Sequence, residues 1–139
     1  MKFVTDLHLH SKYSRAVSQQ MTLPNMAHWG KLKGIDVLAT ADFTHPFWFD
    51  QITAELESTG NGLYKLKQKA SDQRLKQEID ASPFAANKHD VSFILSCEVA
   101  SIYSQGGRGR RIHTLFMFPS FDAVEKFNKE LIKRRANLR

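Results

Sequence analysis

His8 and His10 stand two residues apart. The alternation from Phe3 to His10 sets Val4, Asp6, His8 and His10 on one face of a strand and Phe3, Thr5, Leu7 and Leu9 on the other. Two imidazoles projecting from one face can chelate a common metal ion or cluster. A second apolar run ends in Asp42, with His45 three residues later, and a third carries Glu98, while His113 opens a fourth. Imidazole with carboxylate is a donor set for Zn²⁺, Mn²⁺ or Fe²⁺, and a carboxylate such as Glu98 can bridge two ions of a phosphoesterase site. Glu98 follows Phe93-Ile94-Leu95 and precedes Val99. Burying it unpaired is costly, so it needs a metal or an arginine partner.

Each of the others has a plainer role open to it. Asp42 is able to cap the turn that follows it, and His45 to order the loop before Pro46. His113 begins its strand, away from the carboxyl end, unless the preceding loop folds it back. His28 and His89 have no partner by spacing and read as structural or surface residues. Cys97 faces opposite Glu98 on a regular strand and reads as core.

The elements that must position these groups follow from pattern and punctuation. Phe3 to His10 is predicted as the first strand. Thr22 can cap a helix with Pro24 in its first turn, Leu23 to Lys33, which stops at Gly34. Ile35 to Asp42 reads as a strand buried on both faces, so the βαβ order implies parallel pairing. Residues 47 to 90 read as an insertion: a helix from about Phe47 to Ser58, a turn at Gly60-Asn61-Gly62, a charged helix near Ser71 to Ile79 and a loop around Pro83. Val91 to Ala100 and Ile112 to Phe118 give a third and a fourth strand. Pro119-Ser120 opens the last helix, with Phe121, Val124, Phe127, Leu131 and Ile132 as its apolar stripe. Four strands alternating with helices describe an α/β protein, whose active sites collect at the carboxyl ends of parallel strands.

Composition bounds the rest. The 139 residues include one cysteine, seven glycines and four prolines, which excludes collagen-like, disulfide-stapled and low-complexity chains. An aspartate stands at position 6 where a signal peptide would be apolar, and no apolar run approaches a membrane span, so a cytoplasmic protein is expected. The net charge is +6, and residues 105 to 139 account for all of it, with nine basic groups against three acidic ones. Two clusters carry it, Gly106-Gly107-Arg108-Gly109-Arg110-Arg111 and Lys133-Arg134-Arg135. Glycine with arginine can wrap a phosphate backbone, which makes DNA the expected partner, while a solvated hairpin tip and a helix end favoured by its dipole are the plainer readings.

Asp6-Leu7-His8-Leu9-His10-Ser11 with Tyr13-Ser14, Gly34-Ile35-Asp36 running to Asp42-Phe43-Thr44-His45-Pro46, Glu98-Val99 and Ile112-His113 resemble the opening motifs of the polymerase and histidinol phosphatase (PHP) superfamily. Asp-Phe-Thr-His-Pro, Gly62-Leu63-Tyr64 and Glu98 to Tyr103 with the Gly-Gly-Arg segment and Ile-His resemble, within it, the N-terminal part of the endonuclease Q family. The resemblance covers residues 1 to about 135. It implies a distorted (β/α)₇ barrel with a metal cluster at its carboxyl mouth, Zn²⁺ being the leading candidate and Mn²⁺ or Mg²⁺ the alternatives. It also implies cleavage of DNA on the 5′ side of deaminated bases such as uracil and hypoxanthine.

Carried over by position, His8, His10, Glu98 and His113 match metal ligands, Glu98 as the bridging carboxylate. Asp42 and His45 match the second motif, although the superfamily more often has histidine directly after the aspartate, where Phe43 stands here. Arg15 occupies a position where the superfamily commonly has an aspartate ligand, so the resemblance implies that one ligand is lost or is replaced there by a phosphate-binding cation. The full expectation is a catalytic pair Glu98 and Asp42, metal ligands His8, His10, Asp42, His45, Glu98 and His113, and DNA or phosphate contacts from Arg15, Arg108, Arg110 and Arg111. Phe43, Phe47, Trp48 and Tyr103 are candidates for stacking on a base.

A complete eight-stranded barrel takes about 250 residues, and the later motifs that complete the family's cluster have no counterpart after His113. The expectation is therefore one PHP-like domain, the first half of a barrel, whose open edges invite a second copy or a separate C-terminal portion. Two further readings stand beside the endonuclease. One is a phosphomonoesterase on a small substrate, which the basic tail disfavours; the other is a metal- and DNA-binding fragment without turnover.

Overall fold

The computed structural model of the chain describes residues 2–70, 73, 75, 77, 90–136 and 138. Its fold is mixed α/β, built on one mixed sheet. Strand β1 (Thr5–Asp6) pairs in parallel with β2 (Val37–Ala39), and β2 in parallel with β5 (Ser92–Gln105), as the βαβ order requires. Helix α1 (Leu23–Lys33) joins β1 to β2 with the bounds its sequence predicts. Gly34 ends it at φ +70°, and its N–H reaches the carbonyls of Gly30 and Lys31. That left-handed stop suits glycine. Thr22 occupies the N-cap position, but its side chain makes no capping bond.

The first two strands are shorter than their alternation predicts. Among the described residues β1 pairs with β2 alone, and β2 ends at Ala39, one residue past Leu38, the partner of Asp6. His8 and His10 therefore lie on the segment that leaves the strand's carboxyl end. The insertion also differs. Helix α2 (Pro46–Glu55) stops three residues before Ser58 and runs into a hairpin, β3 (Leu56–Ser58) with β4 (Tyr64–Leu66). Burial of Leu56 and Tyr64 favours the extended form, and β4 then pairs antiparallel with β5 at Tyr64 and Phe93. Of the helix expected at Ser71 to Ile79 only residues 73, 75 and 77 are described, and they are helical. The loop around Pro83 and His89 lie outside the described residues.

The third and fourth strands are longer than predicted, and they are not parallel. β5 runs on to Gln105 and returns as β6 (Arg108–Phe118), antiparallel, with Gln105 opposite Arg108. Gly106 and Gly107 form the two-residue turn at φ +59° and +74°, the pair of positive angles that a tight hairpin of right-handed twist demands. Arg108, Arg110 and Arg111 are thus strand residues instead of a loose loop. Residues 100–115 are exposed, so the outer half of this hairpin is a two-stranded ribbon open to solvent.

The core gathers around β2 and the inner half of β5, where Leu23, Leu38, Phe43, Trp48, Phe93 and Leu95 are buried. Each such side chain contributes roughly 1.5–3 kcal/mol on burial. Helix α3 (Phe121–Lys133) closes this core from the far side. Ser120 caps it by accepting the Ala123 N–H, and Val124 is fully buried. Ile132 is 61% exposed, so the apolar stripe ends one residue earlier, at Leu131. Among the described residues no helix is long and apolar enough to cross a membrane.

Candidate metal centre

Glu98 lies on β5 just beyond the residues that pair with β2, and Ala100 is opposite His113 across the β5–β6 ladder. Alternate strand residues share a face, so Glu98, Ala100, His113 and Leu115 point the same way. The hairpin folds His113 back to the carboxyl end of the parallel strands, where it hydrogen-bonds Glu98 Oε1. From the other side His8 Nε2 stands 2.7 Å from Glu98 Oε2. The His10 ring lies 5.4 Å from that of His8, edge to face.

His8, His10 and Glu98 each offer one ligand atom, all within 4.8 Å of one another. Donors around a tetrahedral ion at about 2.0–2.2 Å are roughly 3–3.5 Å apart, so small side-chain rotations would complete the approach. The residues fit a divalent ion of nitrogen and oxygen preference, and His113 brings a further nitrogen to the same carboxylate. Burial pushes the Glu98 carboxyl up, but hydrogen bonds from His113 and His8 outweigh it and hold the group below the ordinary carboxylate range. A carboxylate kept charged between imidazoles is suited to a cation.

Asp42 and His45 lie beside this cluster. Asp42 Oδ1 is 3.2 Å from His10 Nδ1, and its Oδ2 accepts from the Ser11 N–H, the Ser11 hydroxyl and the Ser14 hydroxyl at 2.6, 2.8 and 2.8 Å. The His45 ring stacks on Tyr13 at 4.4 Å between centroids, and its Nδ1 is buried with no hydrogen-bond partner among the described residues. A cleft of about 670 Å³ opens over the cluster, bordered by His10, Arg15, Asp42, His45, Glu98 and Ile102.

The arginines divide by position. Arg15 borders the cleft, whereas Arg108, Arg110 and Arg111 lie along the ribbon. Arg111 is opposite Ile102, on the face of Glu98 and His113; Arg110 opposite Tyr103 and Arg108 opposite Gln105 are on the other face. Of the four aromatic candidates, Phe43 and Trp48 are fully buried, and Phe47 and Tyr103 are exposed. Cys97 is buried core, and burial, followed by the charge of Asp42, pushes its thiol up to about 12. His28 is buried, its Nδ1 3.2 Å from the Leu75 carbonyl and its ring edge-on to Trp29, a structural placement.

Ser11, Ser14 and Tyr13 are the site residues that spacing alone did not single out as functional. The available signal is a hydroxyl directly after His10 and another four residues after it, on a turn closed by the Ser14 N–H to the Ser11 carbonyl.

No family model matches the chain. The crystal structure of the lesion-specific endonuclease PfuEndoQ from Pyrococcus furiosus is similar over 94% of this chain, with 28% identity and a TM-score of 0.65. A second structure, endonuclease Q in complex with a 27-mer duplex substrate bearing an abasic lesion at the active site, is similar over 93%, with 28% identity and a TM-score of 0.64. In each case the chain spans 25% of the length of the solved protein. The uncharacterized protein MJ0043 of Methanocaldococcus jannaschii is 43% identical over 47 residues, 34% of this chain and 6% of that protein.

Proposed function

We propose that this chain carries the metal centre of a DNA phosphodiesterase of the endonuclease Q kind, cutting the strand on the 5′ side of a deaminated base such as uracil or hypoxanthine. The observation that carries the reading is Glu98 held between His8 and His113, with His10 adjoining, at the edge of an open cleft. Likeness to a lesion-specific endonuclease, and to a structure of such an enzyme on duplex DNA, supports a nuclease-like function. The PHP-type barrel is the architecture we infer for the parallel strands β1, β2 and β5.

His8, His10, Glu98 and His113 would hold the metal, with His45 as a further donor from the cleft wall. A divalent ion there supplies activation of water and neutralisation of phosphate charge. Arg15, at the cleft border, would hold a phosphate, and Arg108, Arg110 and Arg111 extend positive charge along the ribbon. Of the four aromatic candidates, Phe47 is exposed and available to stack on an unpaired base, whereas Tyr103, also exposed, lies on the ribbon face away from Glu98. An exposed ribbon with three arginines favours a polynucleotide over a small monoester, because a small substrate would not reach it.

The deciding assay offers duplex DNA with one uracil or hypoxanthine, in Mg²⁺ or Mn²⁺, to the wild type and to Glu98→Ala. Nicking by the wild type alone is the expected result. Hydrolysis of a chromogenic monoester with the duplex left intact would assign the phosphomonoesterase reading instead, and salt-sensitive binding without cleavage would assign the binding fragment.

A further inference from the structure

The carboxylate of Asp42 spends none of its hydrogen-bonding capacity on its own turn. An ionised carboxylate has about four acceptor positions. Oδ2 accepts three hydrogen bonds, from the Ser11 N–H and the Ser11 and Ser14 hydroxyls, and Oδ1 faces His10 Nδ1. All four come from the segment that carries the histidine pair, about thirty residues away in the chain. The Asp42 carboxylate is therefore not a turn cap but is committed to the segment that carries His8 and His10.

The backbone that presents it is strained. Ala41 and Asp42 have φ of +60° and +43°, a left-handed pair without glycine. Each such residue costs roughly 1–2 kcal/mol and persists only where its surroundings impose it. Trp48 Nε1 donates to the carbonyls of Thr40 and Ala41, both at 3.0 Å, and the Ser96 hydroxyl accepts the Ala41 N–H at 3.0 Å. Asn128 from α3 donates to the Phe43 carbonyl at 3.0 Å. Side chains from α2, β5 and α3 thus converge on one turn, and what the turn presents is the Asp42 carboxylate.

We propose that Asp42 is a positioning residue for the metal centre, holding His10 with its proton on Nδ1 so that Nε2 is left as the ligand atom. A carboxylate offers only lone pairs, so in the His10–Asp42 contact the imidazole is the donor. Removing such an outer partner of a metal-bound histidine typically lowers metal affinity about 10–100-fold. The inference rests on the metal-centre reading given above.

The test uses the full chain in two measurements. Long-range ¹H–¹⁵N correlation spectra of the metal-free protein at pH 8 report the His10 tautomer, expected as Nδ1–H in the wild type and lost in Asp42→Ala. Titration with Co²⁺ reports affinity, expected to fall about 10–100-fold in Asp42→Ala at unchanged circular dichroism. Should that variant not fold, Ser14→Ala, which removes one donor from Oδ2, is expected to lose affinity in the same direction by less. Wild-type Co²⁺ binding that neither substitution weakens, or His10 found as Nε2–H, overturns the inference and leaves the proposed function standing. The Nδ1–H tautomer in a wild type that binds no Co²⁺ upholds the His10–Asp42 relationship and overturns the metal-centre reading.

Discussion

Glu98 and His113 are diagonal neighbours across the β5–β6 ladder, fifteen residues apart in the chain and joined by a side-chain hydrogen bond. With His8 on the opposite carboxylate oxygen, the link ties a loop after β1, the middle of β5 and the middle of β6 into one site. Among the described residues Glu98 is the group that bonds both histidines, so the site should be most sensitive there.

Glu98→Ala is expected to bring bound metal, measured by elemental analysis, to background and to lower duplex nicking at least about a hundredfold. His8→Ala should keep part of the metal, since His10, Glu98 and His113 remain. Equal metal content in wild type and Glu98→Ala would remove this carboxylate from the site.

Arg111 and Arg110 adjoin in sequence but occupy opposite faces of the ribbon, and only Arg111 shares the face of Glu98. Both are exposed, so replacing either by glutamine leaves the fold intact. Arg111→Gln should slow cleavage at saturating DNA, whereas Arg110→Gln should leave that rate near wild type. Either substitution, if its arginine neutralises a phosphate, would reduce the slope of log K against log salt by about one. Identical cleavage rates in the two variants would show that the face does not matter.

Cys97 gives a pH-dependent prediction with a definite sign. Its folded thiol titrates at about 12 against an ordinary value of 9.0. The unfolded chain therefore releases this proton first, so the contribution is fully present below pH 9 and is lost as pH rises from there toward 12. Denaturant midpoints measured across that window should fall, and less steeply in Cys97→Ala. At pH 8 the native thiol should resist alkylation that the unfolded chain accepts within minutes.

Trp48→Phe keeps most of the buried ring but removes the donor to Thr40 and Ala41. Leaving those carbonyls short of a partner costs about 1–3 kcal/mol, and the melting temperature should drop by several degrees. Because the same bonds fix the Asp42 turn, Co²⁺ affinity should fall with it, whereas a destabilising core change away from the turn, such as Val91→Ala beside Gly30, should spare it.

The chain announces its chemistry more clearly than its strands. α1 is legible to the residue because Pro24 and Gly34 punctuate it, and His8, His10 and Glu98 are legible because two-residue spacing and an uncompensated carboxylate both ask for a partner. The direction of β6 is not, since Ile112 to Phe118 is equally apolar whether the chain crosses over or turns back; the positive φ of Gly106 and Gly107 decides it. Nor does sequence reveal that Asp42 accepts from Ser11 and Ser14. That depends on a left-handed Ala-Asp pair, which local propensity argues against and tertiary hydrogen bonds impose.

The two-glycine turn at the ribbon's tip has a bearing on which sequence changes the site can survive. Loop tips ordinarily absorb a missing residue without harm. Here deletion of Gly107 leaves too few residues for the present reversal, and closing the hairpin again shifts every pair by one position. His113 would then stand opposite Val99 or Ser101 instead of Ala100, and a one-residue slip carries a side chain to the other face of the sheet. Remote from the cluster along the ribbon, the tip still behaves as a measuring device for it: a single missing glycine there would be felt at the centre as the loss of a histidine that is still present in the sequence.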